Sequence, residues 1–342
     1  MKIVVLAGGT STERDVSLVS GAQIYKSLKG AGHDVMLLDV FMGLDTDDID
    51  SVFYRGDELL GNIESVKESN PDIEAVKALR ADGGKVFFGP NVIDICKKAD
   101  IVFMALHGEN GENGKVQAAF DLNGIRYTGN DYISSALAMD KALAKEIFAI
   151  YGISTPRGYA LKKCEEDNNK PEYPVVVKVT DGGSSIGVYI VHNDAEYEKA
   201  KKEAFELGNE VVVERFIDGR EFSVGVIKGE ALPVIEIAPK EGFYDYKNKY
   251  QEGSTIETCP AILNDEDTKR IQKMAVDVFK ALRLNQYARI DIMMDKSGEI
   301  FALEANTLPG MTPTSLMPQE ALAAGMSYID FCEKIMAIAL EN

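Results

Sequence analysis

Four polar side chains near the C-terminus occupy alternate positions in two predicted strands. Arg289 and Asp291 lie in the first strand, and Glu304 and Asn306 lie in the second. Because side chains of a strand alternate between two faces, a hairpin of these strands places all four on one face. The segment Asp295-Lys296-Ser297-Gly298 supplies the expected turn between them.

The register of this hairpin determines how close its two carboxylates come. A turn about Lys296-Ser297 places position 291 opposite 302 and position 289 opposite 304. Asp291 and Glu304 are then diagonal neighbours, about 7–8 Å apart at the backbone, and both reach a shared cation. Mg²⁺ prefers oxygen ligands of this kind and is usually held by one or two carboxylates plus phosphates. The pattern therefore predicts a magnesium site, and the alternative is a solvated strand face with ordinary charges.

A glycine- and serine-rich loop from Asp181 to Gly187 lies between two predicted strands. Backbone N–H groups and the hydroxyls of Ser184 and Ser185 can fold over phosphate groups there. Lys178, in the preceding strand, adds a point charge for phosphate. The loop is not a Walker A sequence, because no Gly-Lys-Ser/Thr occurs and no helix follows.

The N-terminus begins like a doubly wound α/β unit. A buried strand from Met1 to Ala7 runs into Gly8-Gly9 and a helix from about Asp15 to Lys29. This opening also suggests a dinucleotide-dependent oxidoreductase, although polar residues stand where the third glycine of that fingerprint is needed. Glu13 at the helix start is either a charge that suits the helix dipole or a partner for the ammonium of a small substrate.

Other candidate residues are ambiguous when taken singly. His107 follows a buried strand and precedes a glycine-rich turn, where α/β folds often bind ligands. Lys141 lies in a helix predicted from Ser134 to Ile150, where a lysine is usually only solvated. Glu214 and Glu221 flank a turn, either as exposed acids or as contacts for an adenine amine and ribose hydroxyls. The aromatic segment from Gly242 to Tyr250 is a candidate lid.

Composition restricts the class of protein. The 342 residues fit two or three domains, and 45% hydrophobic with 27% charged residues is typical of a soluble globular protein. A net charge of −18 argues against a nucleic-acid partner, because nothing would offset repulsion by phosphates. No segment has the length of a membrane span or of a signal peptide, and the four cysteines are far apart, as in a reducing cytosol.

The chain resembles the ATP-grasp ligases, and among them the D-alanine–D-alanine ligases. The resemblance covers nearly the whole chain and is weakest from Gly43 to Lys98. Its motifs occur in the order of that family: GGTSTERDVSLVSG, LHGENGENG, MDK, VVVKVTDGGSSIG, VVVERFIDGREFSV, FYDYKNKY and RIDIMMD followed by LEANTLPGMTPTSL. Their joint occurrence in this order makes the resemblance specific.

The resemblance implies roles for the nucleotide-binding residues. It implies that Lys141, Lys178 and Ser185 contact ATP phosphates and that Lys249 lies near them. It implies that Glu214 and Glu221 hold adenine and ribose. The ligands implied for two Mg²⁺ ions, which Mn²⁺ can replace, are Asp291, Glu304 and Asn306.

The resemblance also implies where two D-alanine molecules bind. The first ammonium is held by Glu13 in a network with Ser184 and Tyr250, and His107 is close by. The residues implied to receive the second D-alanine are Ser315, Leu316 and Lys249. Arg289 and the Gly310 N–H are implied to stabilise the tetrahedral oxyanion.

The fold implied is α/β, with an N-terminal doubly wound parallel-sheet domain followed by a two-part ATP-grasp fold. The expected domains are residues 1–129, 130–208 and 209–342. The activity implied is ATP-dependent ligation of two D-alanines through an acyl phosphate, for peptidoglycan precursors, by a cytoplasmic homodimer. Three alternatives remain open, namely a D-alanine–D-serine ligase, the oxidoreductase and a non-catalytic nucleotide sensor. A sensor would lack a metal ligand or Arg289, and the sequence retains them all.

Overall fold

The N-terminal part is built on a sheet of three parallel strands in the order β2-β1-β3. The computed structural model describes residues 1–56, 71–183, 185–240 and 254–341. The central strand is almost wholly buried, as expected for an aliphatic run covered on both faces. The elements of this part are β1 (Lys2–Ala7), α1 (Arg14–Gly30), β2 (Asp34–Asp39), α2 (Ile73–Ala78), α3 (Val92–Lys98), β3 (Ile101–Met104) and α4 (Lys115–Asn123).

Two helices replace the single helix predicted from Ser134 to Ile150. They are α5 (Tyr132–Met139) and α6 (Lys141–Ile150), and Asp140 lies between them with an extended backbone. The Asp140 carboxylate accepts the N–H of Leu143 at 3.0 Å, so it caps the second helix. The prediction was wrong because the continuous apolar pattern concealed this capping aspartate. The break places Lys141 in the first turn of α6.

The central part is a four-stranded antiparallel sheet in the order β4-β7-β5-β6. Its valines and a helix on one face form a hydrophobic core that includes only residues of this part. The last strand of this sheet in chain order ends at Arg215. Its elements are β4 (Gly158–Lys162), β5 (Val175–Val179), β6 (Val188–Val191), α7 (Asp194–Leu207) and β7 (Glu210–Arg215).

The C-terminal part contains an antiparallel sheet in the order β11-β10-β8-β12-β13, and β9 also pairs with β8. Two nine-residue strands, β8 and β12, pair along their whole length at its centre. The elements are β8 (Gly219–Ile227), β9 (Glu230–Ala231), β10 (Ile235–Pro239), β11 (Thr255–Thr258), α8 (Asp265–Ala281), β12 (Tyr287–Asp295), β13 (Ile300–Asn306), α9 (Leu316–Ala323) and α10 (Tyr328–Leu340).

The last helix, α10, packs on the N-terminal sheet. Phe331, Ile335 and Met336 are at most 1% exposed and belong to the same core as Ile3. Each such side chain contributes about 1.5–3 kcal/mol when it is buried. The N-terminal and C-terminal parts are therefore joined by a common core. Together, the sheets confirm the predicted α/β class with a parallel N-terminal sheet. Within the described ranges, no helix combines the length and apolar character needed to cross a membrane.

A glutamate on α9 is wholly buried against β8. Glu320 Oε2 accepts the N–H of Gly225, and Oε1 has no hydrogen-bond partner among the described residues. A Cβ at Gly225 would lie 2.5 Å from Glu320 Oε2, so the strand needs glycine there. Burial raises the pKa of Glu320 well above 4.5, although the Gly225 N–H and Arg289 oppose the shift. Burial therefore favours the neutral form of this acid in the folded protein.

This burial predicts a pH dependence of stability that Glu320→Gln removes. The unfolded chain ionises Glu320 once the pH exceeds its usual pKa, whereas the folded protein keeps it protonated, so rising pH favours unfolding. We expect the free energy of unfolding of E320Q, relative to wild type, to increase between about pH 5 and about pH 8. Urea unfolding at both pH values measures it, with the exposed Glu206→Gln as control. An unchanged difference would contradict the assignment of a neutral Glu320.

Candidate active site

The β12–β13 hairpin brings two carboxylates directly opposite each other. Asp291 pairs with Glu304, and Arg289 pairs with Asn306. The predicted register, with position 291 opposite 302, was therefore wrong. The shared face was predicted correctly, because Asn306 Nδ2 donates to Asp291 Oδ2 at 3.0 Å. Direct pairing brings the two carboxylates closer than the predicted diagonal arrangement.

Two local features cause the difference in register. The turn has three residues, 296–298, and Gly298 adopts a φ of +84°, as in hairpins that end with a left-handed residue. A register shift then occurs because Ile292 pairs with Ala302, which leaves Leu303 as an extra residue on β13. Such a bulge re-aims the side chains that follow it. The period of two in the sequence does not reveal it.

The carboxylate of Asp291 accepts hydrogen bonds from three side chains. Ser223 Oγ on β8 donates at 2.8 Å, and the Arg289 guanidinium donates to both oxygens at 3.0 and 2.8 Å. The third donor is the amide of Asn306. These contacts fix the orientation of Asp291, whose side chain is 8% exposed.

Lys141 joins this hairpin to the glycine loop. Its Nζ lies 3.2 Å from Glu304 Oε2 and donates to the carbonyl of Gly182 at 2.7 Å. The backbone N–H of Lys141 donates to the carbonyl of Thr180 at 3.0 Å. The start of α6 therefore holds a cation between the carboxylate and the loop.

The donor set fits Mg²⁺. Asp291 and Glu304 offer carboxylate oxygens, and Asn306 adds an amide oxygen beside them. No group of three or more His, Cys, Asp or Glu side chains suited to a metal occurs in the described part of the chain. A site with so few protein charges requires other oxygens to complete the coordination. Mg²⁺ commonly takes these oxygens from water and from substrate phosphates.

A buried ion triad holds Lys178 on β5. Glu214 Oε1 lies 2.5 Å from Lys178 Nζ, and Glu214 Oε2 lies 2.7 Å from Lys145 Nζ. Burial would raise the pKa of Glu214, but the two lysines outweigh it and lower that pKa. Sequence reasoning assigned no role to Lys145. Its spacing of four from Lys141 on α6 was the available signal, because residues i and i+4 share a helix face.

A cleft of about 520 Å³ separates the central sheet from the C-terminal sheet. This volume is in the range of sites for small molecules and cofactors. Apolar side chains from both sheets line it together with charged residues. The lining residues include Val176, Lys178, Ser185, Ile190, Glu214, Glu221, Ile237, Met293, Leu303 and Glu304. The predicted nucleotide-binding residues among them are thus brought together.

A smaller pocket of about 60 Å³ adjoins the cleft, and both include Lys141 and Glu304 in their walls. Glu13, at the start of α1, is buried and lines the smaller pocket together with Arg289 and Gly310. A Cβ at Gly183 would lie 2.7 Å from Glu13 Oε2, so glycine lets the loop approach that carboxylate. The smaller pocket thus combines an acid with a guanidinium.

His107 and Glu112 hold the loop that precedes Gly310. His107 Nδ1 lies 2.8 Å from the carbonyl of Leu308, and Glu112 Oε1 accepts the N–H of Leu308 at 3.0 Å. Burial lowers the pKa of His107, so its imidazole is neutral near pH 7. Sequence reasoning assigned no role to Glu112. Its position between Gly111 and Gly114, five residues after His107, was the available signal.

Ser315 and Leu316 lie where the chain enters α9. Ser315 Oγ accepts the N–H of Thr312 at 3.1 Å and lies near Gly310. The Leu316 side chain is 4% exposed and packs in a small core with Ile235. The predicted contact of Leu316 with an amino acid stays a prediction. The predictions for Ser184, Lys249, Tyr250 and the lid from Gly242 to Tyr250 concern residues that the structure does not describe.

The carboxylate of Asp39 occupies the space beside Gly8 in the N-terminal Gly-Gly turn. A Cβ at Gly8 would lie 2.5 Å from Asp39 Cγ, and Asp39 also accepts the N–H of Phe41 at 2.9 Å. Arg14 forms an ion pair with Asp39 and donates to the carbonyl of Gly9 at 2.7 Å. Asp39 is thus paired with the protein's own Arg14, and the turn lacks the third glycine of the dinucleotide fingerprint. The oxidoreductase alternative is therefore unsupported.

A parallel N-terminal sheet and two antiparallel sheets, with a cleft partly lined by lysine side chains, define an ATP-grasp fold. The family profile described as "D-ala D-ala ligase N-terminus" matches residues 2–130, and "D-ala D-ala ligase C-terminus" matches residues 150–337. The chain belongs to the D-alanine–D-alanine ligase family.

Proteins with this family name resemble the chain over its whole length. A D-alanine–D-alanine ligase of Pediococcus pentosaceus is 45% identical to this chain. The matched region covers 98% of this chain and 97% of that relative. The crystal structure of the Bacillus anthracis D-alanine–D-alanine ligase complexed with ATP matches with a TM-score of 0.77 at 30% identity, covering 100% and 98% of the two chains. The VanG D-Ala:D-Ser ligase of Enterococcus faecalis matches with a TM-score of 0.74 at 30% identity, covering 99% of each.

The ion triad predicts that Lys145→Met destabilises the protein. Methionine keeps most of the side-chain volume but leaves Glu214 with one of its two cations. Removing one partner from a buried ion pair costs about 3–5 kcal/mol. We expect a loss of about 3 kcal/mol in the free energy of unfolding, measured with urea. The exposed Lys162→Met is the matched control, and equal stability of the two variants would refute the prediction.

Proposed function

We propose that this protein uses ATP to join two molecules of D-alanine into D-alanyl-D-alanine. The observation that carries the proposal is the direct pairing of Asp291 with Glu304 at the meeting point of the large cleft and the small pocket. A triphosphate in the cleft would reach these oxygens, and an amino acid in the small pocket would lie beside them. Family membership and the ATP complex of the Bacillus anthracis relative support the same assignment.

The first step is phosphoryl transfer to the carboxylate of the first D-alanine. That carboxylate is a poor acyl donor, so one of its oxygens attacks the γ-phosphorus, ADP leaves, and an acyl phosphate forms. Two anions must approach each other, which requires cations around the transferred group. Lys141 and Lys178 would contact the phosphates, and Ser185 would close over them. Glu13 would hold the substrate ammonium and so fix its orientation.

The second step is attack by the amine of the second D-alanine on the carbonyl carbon. The tetrahedral oxyanion would be stabilised by the Arg289 guanidinium and the Gly310 N–H, which line the same pocket. Phosphate then leaves, the amide bond forms, and the amine loses its proton. Ser315 and Leu316 would bind this second substrate together with Lys249.

Asp291, Glu304 and Asn306 would hold two Mg²⁺ ions against the phosphates, and Mn²⁺ suits the same oxygens. Bound Mg²⁺ neutralises developing charge on the phosphate oxygens. The protein's own part is to orient the ligands, because Ser223 and Arg289 both donate to Asp291. Glu214 and Glu221 are proposed to hold adenine and ribose. Glu214 would do so while it also fixes Lys178.

We further propose that the enzyme is a cytoplasmic homodimer that supplies peptidoglycan precursors. The support is the family resemblance, since this product is used in the bacterial cell wall. The division into domains of residues 1–129, 130–208 and 209–342 stays a prediction. Among the described residues, the central sheet with its own core is consistent with a separate central unit.

The proposed function predicts the substrates that trigger phosphate release. With Mg-ATP, we expect D-alanine to release phosphate in step with formation of a product whose mass is that of the dipeptide. D-Serine tests the alternative second substrate, because a pocket rejects one added hydroxyl only weakly. D-Lactate is expected to give no ester. Phosphate release that does not depend on a D-amino acid would contradict the proposal.

The metal assignment predicts that Asp291→Asn strongly lowers turnover without unfolding the chain. The amide removes one anionic ligand, and Asn donates where Asp accepts, so we expect kcat to fall by at least about a hundredfold. A Mg²⁺ titration is expected to need higher metal concentrations in this variant. The exposed Asp265→Asn serves as control. Wild-type activity of Asp291→Asn at limiting Mg²⁺ would refute the assignment.

A further inference from the structure

Glu112 connects two loops that come from different parts of the chain. Its Oε2 accepts the N–H of Gly108 at 2.8 Å, and its Oε1 accepts the N–H of Leu308 at 3.0 Å. The first loop follows β3 of the N-terminal sheet, and the second follows β13 of the C-terminal sheet. Glu112 also lines the small pocket. One carboxylate therefore sets the distance between these loops at the edge of the candidate active site.

The loop that Glu112 holds has little freedom beyond Leu308. The carbonyl of Leu308 contacts His107 Nδ1 at 2.8 Å, so both backbone polar groups of this residue are fixed. Its side chain is 2% exposed and belongs to the N-terminal core. Pro309, with its restricted φ, is the one residue between Leu308 and Gly310. The position of the Gly310 N–H thus depends on how Leu308 is held.

The same carboxylate is close to Glu13. Gly108 lies between the two acids, because its N–H is donated to Glu112 and a Cβ on it would lie 2.9 Å from Glu13 Oε2. Each negative charge disfavours the other in this enclosed region. A cation that binds Glu13 would relieve this repulsion and favour the ionised form of Glu112. Ionised Glu112 accepts both N–H groups, whereas a protonated carboxyl accepts them more weakly.

We propose that Glu112 is a positioning residue that couples binding of the first substrate's ammonium at Glu13 to placement of the Gly310 N–H. The inference rests on the proposed function, since it assumes an amino-acid substrate at Glu13 and an oxyanion near Gly310. Glu112 itself touches neither reacting atom. It acts through the backbone of Leu308.

The charge on Glu112 gives this coupling a pH dependence. Burial and the charge of Glu13 raise the pKa of Glu112 to about 7, and the N–H groups of Gly108 and Leu308 and the charge of Arg289 oppose the shift. The other titratable groups that face it are His107, which burial keeps neutral, and Tyr287, whose pKa burial raises. Ammonium binding favours the ionised form and so releases a proton. Affinity for the first D-alanine therefore increases as the pH rises towards about 7, the pKa of Glu112 before the ammonium binds, and it levels off above that pH.

The test compares Glu112→Gln with wild type. Glutamine has the shape of glutamate, but its NH₂ faces one of the two N–H donors and leaves that donor unpaired. We expect kcat for dipeptide formation to fall between about tenfold and about a hundredfold, because the oxyanion donor is displaced. We also expect the rise in affinity for the first D-alanine below about pH 7 to disappear. The thermal shift produced by Mg-ATP is expected to be unchanged.

Two further variants separate this role from simple stabilisation. Glu109→Gln, in the same loop, alters an exposed acid that pairs with Lys115 at 3.5 Å, and it is expected to retain the wild-type kcat and pH profile. Glu112→Asp keeps the charge but is one methylene too short to reach both N–H groups, so it is expected to lower kcat and keep a pH dependence. It also provides the test if Glu112→Gln does not fold.

Three results would overturn the inference. One is a wild-type kcat and pH profile in Glu112→Gln, even with a lower melting temperature, since Glu112 would then be only structural. Another is a wild-type kcat in Glu112→Asp. The third is a wild-type affinity for the first D-alanine that does not increase as the pH rises towards about 7. Failure of the proposed function itself is distinguishable, because the wild-type protein would then release no phosphate with D-alanine and Mg-ATP.

Discussion

The pairing of two carboxylates on adjacent strands is the constraint on which the rest of the site depends. Asp291 and Glu304 repel each other unless cations lie close to both. The folded chain supplies these cations, because Arg289 binds Asp291 and Lys141 binds Glu304. Arg289 comes from β12 and Lys141 comes from α6. The N-terminus of α6 must therefore lie beside the β12–β13 hairpin. Bound metal and phosphate would take over part of this charge balance.

Sequence periodicity predicted the elements of this site better than their exact alignment. Alternation of polar and apolar residues was enough to place Asp291 and Glu304 on one face. It was not enough to give their register, because an extra residue at 303 changes the pairing without changing the composition of the strand. The helix break at Asp140 was missed for a similar reason. In both places, a local hydrogen bond or bulge overrides a smooth hydrophobic pattern.

Contacts between distant segments lay beyond the reach of local patterns. Lys145 binds Glu214, which is 69 residues away, and Glu112 binds Leu308, which is 196 residues away. The local spacing of each residue can mark it as a candidate, but it does not identify a partner so far away in the sequence. The Gly-Gly turn shows the opposite problem, since its local pattern suggested a ligand site. Asp39, far along the chain, occupies that space and pairs with Arg14.

The hydrophobic core of the central sheet includes only residues of that sheet and its helix. Among the described residues, polar contacts join this unit to α6. Lys141 donates to the carbonyl of Gly182, and Lys145 donates to Glu214. An outward rotation of this unit would replace these contacts with contacts to water and would expose few side chains of its hydrophobic core. Such a rotation would leave the hydrophobic cores of the central and C-terminal sheets intact, because the two cores share no residue.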